Sequence, residues 1–479
     1  MNEQSNLKTI QHFIGGEAVE ASSGAYFDDH NPEDDSVYAK VAHGTEQDVD
    51  NAVKAAKAAF AGYGQSLAKE REAWLLKAAE LMEVRKDEFL DALIDEIGSP
   101  IGKAHFEFQN ALEMLRAAAA MARQVTGKTM PSDVPGRFSM SIRKPLGVVA
   151  AITPFNVPLI KGVRLTANAL AVGNTVVLLP SEEAPVIASL LGALYRDAGI
   201  PAGAFNIVCG MGFEIGDSLT GHVDVNMVTF TGSSVVGQHI NMICAAQKKP
   251  VTLELGGKSP MVILADADVD KAVGAAVMGT FVYQGQICMA SSRIYVETPV
   301  YDEFMEKFVG AATHIGVGDM RDMDTVIGPI ISGRQRERIK THITDAKDKG
   351  ATLAAGGEWT GNRCHPTVLT NVTEEMTLCR QETFGPVTSV YQIESYEEGL
   401  EKANDTEYGL SASIFTRDLE KALNFAHNSG AGMCHVNGAT LHDEPHVPFG
   451  GNGESGVGRE GTEADIDAMT EWKWITVQM

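Results

Sequence analysis

Between residues 147 and 230 the chain alternates short apolar runs with helical stretches. The runs are G-V-V-A-A-I-T, N-T-V-V-L-L, F-N-I-V and M-V-T-F, and A-P-V-I-A-S-L-L-G-A-L-Y-R and E-I-G-D-S-L stand between them. Runs that are apolar on both faces must be covered on both sides, and the helical stretches are long enough to serve as crossovers. The pattern predicts a parallel, doubly wound α/β sheet. A second alternating set starts near Pro260 with M-V-I-L, R-I-Y-V-E, P-T-V-L, T-S-V-Y-Q-I and A-S-I-F-T, and predicts a second α/β domain. From Thr45 to about Arg123 apolar residues fall three and four apart, the spacing of amphipathic helices that would cover the first sheet. A length of 479 residues exceeds what one core sustains, in keeping with two or more domains.

Charge narrows the partners. With 39 Lys and Arg against 63 Asp and Glu the net charge is -24, which disfavours nucleic acid and acidic membrane surfaces and leaves a small molecule or another protein. The six cysteines stand singly, without C-x-x-C, as expected in a reducing compartment. No stretch approaches the roughly 18 uninterrupted apolar residues of a spanning helix, and M-N-E-Q-S-N-L-K lacks the pattern of a leader. The expectation is a cytoplasmic protein.

Several residues stand out chemically. Cys288 in Y-Q-G-Q-I-C-M-A-S-S-R is either a small core residue or a thiol held out for reaction. Glu254 lies inside the apolar strand V-T-L-E-L-G-G, where a carboxylate is costly unless paired or used as a base. Asn156 sits between two prolines in T-P-F-N-V-P-L, a rigid segment that could aim its amide, although an ordinary turn asparagine reads the same way. Two glycine patterns compete for a phosphate, Gly210, Gly212 and Gly216 in G-M-G-F-E-I-G, and Gly232 to Gly237 in G-S-S-V-V-G. Neither is a true G-x-G-x-x-G, and a tight strand-to-helix turn explains each as well. His442 and His446 have the spacing of a helical ligand pair, but Pro445 between them breaks a helix and no further ligand completes a set, so no metal is expected.

In their order, Asn156, G-S-S-V-V-G, E-L-G-G-K-S-P, G-Q-I-C-M-A-S-S-R and E-T-F-G-P-V at 382 to 387 resemble the NAD(P)-dependent aldehyde dehydrogenase superfamily, over residues 12 to 477. The separation of 34 between Glu254 and Cys288 (288 minus 254) is also the family's. The resemblance implies an aldehyde dehydrogenase-like α/β fold: two doubly wound parallel-sheet Rossmann-like domains plus a small β oligomerisation arm. The NAD-binding domain would take 1-123 and 144-253, the catalytic domain 254-463, and the arm 124-143 and 464-479, in a homodimer or homotetramer.

It further implies that Cys288 is the nucleophile, that the Asn156 amide and the Cys288 backbone N–H hold the oxyanion, and that hydride loss leaves a thioester. Glu254 would then activate the hydrolytic water. Cofactor contacts would come from Thr153, Pro154, Phe155, Glu182, Gly232, Ser233, Gly237, Leu255, Gly256, Glu382 and Phe384. Leu179 replaces the usual lysine of L-P-S-E, and with Glu182 on the ribose this favours NAD over NADP. Phe155 stands where tryptophan is commonest. G-V-R at 162 to 164 and the 437–451 loop resemble the subgroup acting on benzaldehyde, vanillin and salicylaldehyde, with Arg164, Tyr283, Ile287 and Met289 as expected pocket residues; Phe155 flanks the same slot, and core packing explains Phe155, Tyr283, Ile287 and Met289 equally well. Rival readings are an aliphatic or semialdehyde dehydrogenase and a non-catalytic binding protein of the same fold.

Overall fold

The computed structural model describes residues 7–479. Residues 1–6, assigned from sequence to the first domain, lie outside the described residues. An eight-stranded sheet has at its centre five parallel strands in the order Val251–Glu254, Val225–Thr231, Val148–Ile152, Thr175–Leu179 and Phe205–Ile207. Short antiparallel strands close both edges. The chain runs outward from Val148–Ile152 in one direction, then returns to build Val225–Thr231 and Val251–Glu254 on the other side. The order therefore reverses between Val148–Ile152 and Val225–Thr231, and a doubly wound sheet opens a crevice at the carboxyl ends of the strands flanking such a reversal.

Four helices, Glu46–Tyr63, Ala68–Val84, Lys86–Asp95 and Ile101–Met121, supply much of the apolar cover that the periodicity predicts. The helix Pro158–Ala171 is buried at every position. Pro158 at its start needs no N–H partner, and Glu107 Oε1 accepts from the Leu159 amide at 2.9 Å, so a carboxylate from a neighbouring helix caps this one.

A seven-stranded sheet forms the second half, its six parallel strands ordered Thr367–Thr370, Val387–Ile393, Ser291–Glu297, Ser259–Ile263, Ser411–Phe415 and Met433–Val436. Only four residues separate Glu254, at the carboxyl end of the first sheet, from Ser259, at the start of a strand in the second. Carboxyl ends of one sheet thus meet amino ends of the other.

Three antiparallel strands, Lys128–Met130, Arg137–Pro145 and Thr470–Gln478, make a separate ribbon. The last strand begins at Thr470. Residues 464–469, expected in the arm, belong instead to the helix Thr462–Met469, which buries Ile466 and Met469 in the core of the first half. Among the described residues no helix is long and apolar enough to cross a membrane.

Candidate functional site

The residues singled out from sequence converge where the two sheets meet. Thr153 to Phe155 follow the strand Val148–Ile152, Glu182 follows Thr175–Leu179, Gly232 and Ser233 follow Val225–Thr231, and Leu255 and Gly256 follow Val251–Glu254. All lie at carboxyl ends, around the reversal. From the other side come Cys288, just before Ser291–Glu297, and Glu382 and Phe384, just before Val387–Ile393.

The two glycines after Glu254 explain how the halves approach so closely. A Cβ on Gly257 would stand 2.2 Å from the Cys288 carbonyl oxygen, and one on Gly256 would stand 2.8 Å from Glu382 Oε2. Neither position has room for a side chain. The Gly257 amide donates to Glu382 Oε1 at 3.1 Å, so one dipeptide locates Glu254, Cys288 and Glu382 together.

Cys288 is delivered by a strained turn. Tyr283, Gln284 and Gly285 are left-handed in succession, with φ of 61°, 56° and 64°. That conformation costs a non-glycine residue about 1–3 kcal/mol and persists only where the surroundings impose it. Here Gln284 Nε2 donates to the carbonyls of Gly98 at 2.8 Å and Pro329 at 3.2 Å, while the Tyr283 ring packs edge-on against Phe106 and beneath the Lys103 ammonium. The Asn156 amide donates to the Gln286 carbonyl at 2.8 Å, which brings it beside the segment carrying Cys288.

Electrostatics set the site apart from the core around it. Burial pushes the Cys288 thiol up to about 12; Lys161 opposes this, and Glu382 and Glu254 add to it. The Glu254 carboxyl is raised well above the ordinary carboxylate range by burial and then by Glu460. Both its oxygens are buried without a hydrogen-bond partner among the described residues, unusual for a structural carboxylate. Glu382 is raised to about 7 by burial, against the pull of the Gly257 amide.

The first half also fits a nicotinamide dinucleotide. Ser233 caps the helix Ser234–Gln247 by accepting from the Val236 amide, and with Val235 and Val236 exposed the positive end of the helix dipole meets solvent beside the reversal. Gly237 lets that helix sit against Leu255, where a Cβ would come within 2.3 Å. The competing glycine pattern opens the helix Gly212–Thr220, whose first turn carries Glu214 paired with His43. A carboxylate there would repel a phosphate. Phe384, at a left-handed φ of 56°, meets Phe155 edge-on at 5.8 Å, and Gln335 holds the Thr383 and Phe384 carbonyls at 2.9 and 2.7 Å. Glu182 Oε1 stands 3.9 Å from Arg334.

Of the expected pocket residues, Ile287 and Met289 cluster with Phe449, Leu410 and the partly buried Cys288. Tyr283 shares that cluster, and its ring is pinned by Phe106 and Lys103. Arg164 is 1% exposed and ion-paired with Asp443 and Glu460, so it reaches the cluster only through the Phe449 ring, 5.2 Å away. His442 and His446 both approach Glu444, and no group of three or more metal-ligating side chains forms among the described residues.

The sequence reading passed over Lys161 and Gln335. Lys161 had a signal, being a charge inside the apolar run P-L-I-K-G-V, the same feature that marked Glu254. Gln335 had none, because its role depends on a loop 48 residues further on.

Comparison with known proteins agrees with this geometry. The profile described as "Aldehyde dehydrogenase family" matches residues 18–475. A vanillin dehydrogenase of Corynebacterium glutamicum is 40% identical over 475 residues, covering 98% of each chain. The crystal structure of a salicylaldehyde dehydrogenase from Pseudomonas putida G7, complexed with salicylaldehyde, is 36% identical with a TM-score of 0.96, covering 99% of each chain. That of an E. coli NADP dependent enzyme is 34% identical with a TM-score of 0.96 over the whole of both chains. With two sheets of this order meeting at these residues and a profile match over nearly its full length, the chain belongs to the aldehyde dehydrogenase family.

Proposed function

We propose that the protein oxidises an aromatic aldehyde of the benzaldehyde, vanillin or salicylaldehyde type to the carboxylic acid, with Cys288 as nucleophile. The observation that carries this reading is the convergence of Cys288, the Asn156 amide and the unpartnered Glu254 carboxylate beside an apolar cluster.

The thiolate of Cys288 adds to the aldehyde carbon, and the developing oxyanion takes hydrogen bonds from Asn156 Nδ2 and the Cys288 backbone N–H. Asn156 Nδ2 has two N–H groups, and one is committed to Gln286. A nicotinamide dinucleotide, when bound, accepts the hydride that turns the adduct into a thioester. Glu254 removes a proton from the water that hydrolyses the thioester. Cofactor-binding roles go to Ser233 and the adjoining helix amides for the pyrophosphate, Glu182 for the adenosine ribose, and Glu382 and Phe384 for the nicotinamide end. Thr153, Pro154, Phe155, Gly232, Gly237, Leu255 and Gly256 form the surrounding walls.

The substrate class is supported by the named relatives and by the Phe449, Ile287 and Met289 cluster, an apolar surface suited to a planar ring. A panel of aldehydes tests it. Benzaldehyde-type substrates should exceed acetaldehyde in kcat/KM, and equal values would remove the aromatic assignment. NAD is preferred to NADP on the strength of Glu182. The domain reading follows the two sheets, with 7–123 and 144–253 binding the dinucleotide and 254–463 the substrate. A homodimer or homotetramer is supported by exposed Trp472, Trp474 and Val477 on the last strand, and light scattering that returned a monomer would refute it. Six free cysteines suit the cytoplasm.

A further inference from the structure

The helix Pro158–Ala171, buried throughout, carries two cations three residues apart, Lys161 and Arg164. Both end on one carboxylate. Lys161 Nζ lies 2.6 Å from Glu460 Oε2 and Arg164 Nε 3.2 Å from the same oxygen, with every one of these side chains 5% exposed or less. Arg164 also holds Asp443. Lys161 Nζ stands 4.8 Å from the centroid of the Phe449 ring, in the cluster that holds Ile287, Met289 and Cys288. The next residue, Gly450, rests against Glu254, where a Cβ would stand 2.6 Å from Oε1. One turn, Phe449–Gly450, is thus wedged between an ammonium and the buried carboxylate.

A lysine in such a place is costly to bury, and a single carboxylate repays that cost only in part. The surrounding charges come from several elements: Arg164 on the same helix, Glu254 on its strand, Glu382 on the loop before Val387–Ile393, Asp443 on the 437–451 loop, Arg459 and Glu460 after the glycine-rich turn, and Asp465 on the last helix. Burial raises both the Cys288 thiol and the Glu254 carboxyl; Lys161 is the cation that opposes both shifts. Arg164 and Arg459 also oppose the shift of Glu254.

We propose that Lys161, held by Glu460, is a positioning residue that supplies the positive charge under which the Cys288 proton passes to Glu254. The proposal rests on the roles given to Cys288 and Glu254 above. In the transfer the S–H bond of Cys288 breaks, an O–H bond forms on Glu254, and negative charge moves from carboxylate to sulfur. The field of Lys161 stabilises a thiolate that an apolar cluster would otherwise suppress.

The test is the pH dependence of Cys288 alkylation by iodoacetamide, read at the Cys288 peptide by mass spectrometry on the purified full chain without added dinucleotide. Lys161→Met should shift the profile upward by about one unit or more, slowing alkylation at neutral pH about tenfold or more. Lys161→Arg should stay close to the unsubstituted protein. A Lys161→Met profile that superimposes on the original overturns the proposal even if the melting temperature falls, because that is the signature of a purely structural pair. So does a Lys161→Arg profile displaced as far as that of Lys161→Met. If Lys161→Met does not accumulate folded, Lys161→Gln, which keeps a hydrogen-bonding end for Glu460, is read by the same criteria. Turnover by Cys288→Ser tests the underlying assignment separately.

Discussion

Asn156 Nδ2 donates to the Gln286 carbonyl at 2.8 Å, joining the residue just before a buried helix's first turn to the backbone two residues before Cys288. One N–H of the amide is spent fixing its direction. In the proposed mechanism the other is the donor offered to an oxyanion, and removing one such donor costs about 2.7–4 kcal/mol of transition-state stabilisation. Asn156→Ala should therefore lower kcat about 100- to 1000-fold with a smaller change in KM. Steady-state kinetics on benzaldehyde would reveal this, and a loss under about tenfold would remove Asn156 from that role.

In the proposed mechanism Glu254 separates the two half-reactions. With Glu254→Gln the Cys288 proton must leave to solvent, so addition and thioester formation proceed more slowly, and the water that should release the acid has no base. A stopped-flow record should show about one equivalent of reduced dinucleotide per active site and then near arrest, and sustained turnover at the original rate would contradict the role. The sign with pH follows from burial, which raises the Glu254 carboxyl. Its active form is the ionised one, so kcat should rise with pH through a midpoint above the ordinary carboxylate range. A midpoint at or below about pH 5 would conflict with that environment.

These relations were visible in the sequence to very different degrees. The strands were legible because runs such as N-T-V-V-L-L must be buried on both faces, and Thr175–Leu179 is. Cys288 and Glu254 were legible as motif residues, and Glu254 also as a charge out of place. Why E-L-G-G needs two glycines was not, since the reason is the Cys288 carbonyl and the Glu382 carboxylate pressing on them from the other half of the chain. Arg164 shows the same limit. The sequence placed it near the substrate, whereas the structure commits it to Asp443, 279 residues away, and to Glu460. Long-range charge pairing leaves no local pattern to read.

Arg293 is a structural cation of a different kind. At 2% exposure it has no carboxylate partner among the described residues and donates instead to the carbonyls of Lys258, Lys402, Ala403 and Asp405. Two of those carbonyls end the helix Tyr396–Asn404, where a cation is favoured by the dipole. Lys258 adjoins Gly257, so the same guanidinium ties that helix to the floor of the site. Arg293→Ala would leave several buried carbonyls unpaired and should destabilise by roughly 3 kcal/mol or more. Denaturant unfolding measures it, and a change under about 0.5 kcal/mol, typical of a surface substitution, would show these bonds to be expendable.

Glu182 follows the strand Thr175–Leu179, where a dinucleotide lying across the reversal would place its adenosine ribose. A carboxylate hydrogen-bonds a free 2'-hydroxyl and repels a 2'-phosphate, and Leu179 supplies no cation to offset that repulsion. The guanidinium of Arg334, 3.9 Å from Glu182 Oε1 and 82% exposed, is a nearby group that a 2'-phosphate could recruit once the carboxylate is gone. Glu182→Gln should accordingly raise kcat/KM with NADP and lower it with NAD, moving their ratio by about tenfold or more toward NADP, and adding Arg334→Ala should reverse most of that gain. If the unsubstituted enzyme already used NADP better than NAD, or if the ratio ignored Glu182→Gln, the discrimination would have to come from residues other than this pair.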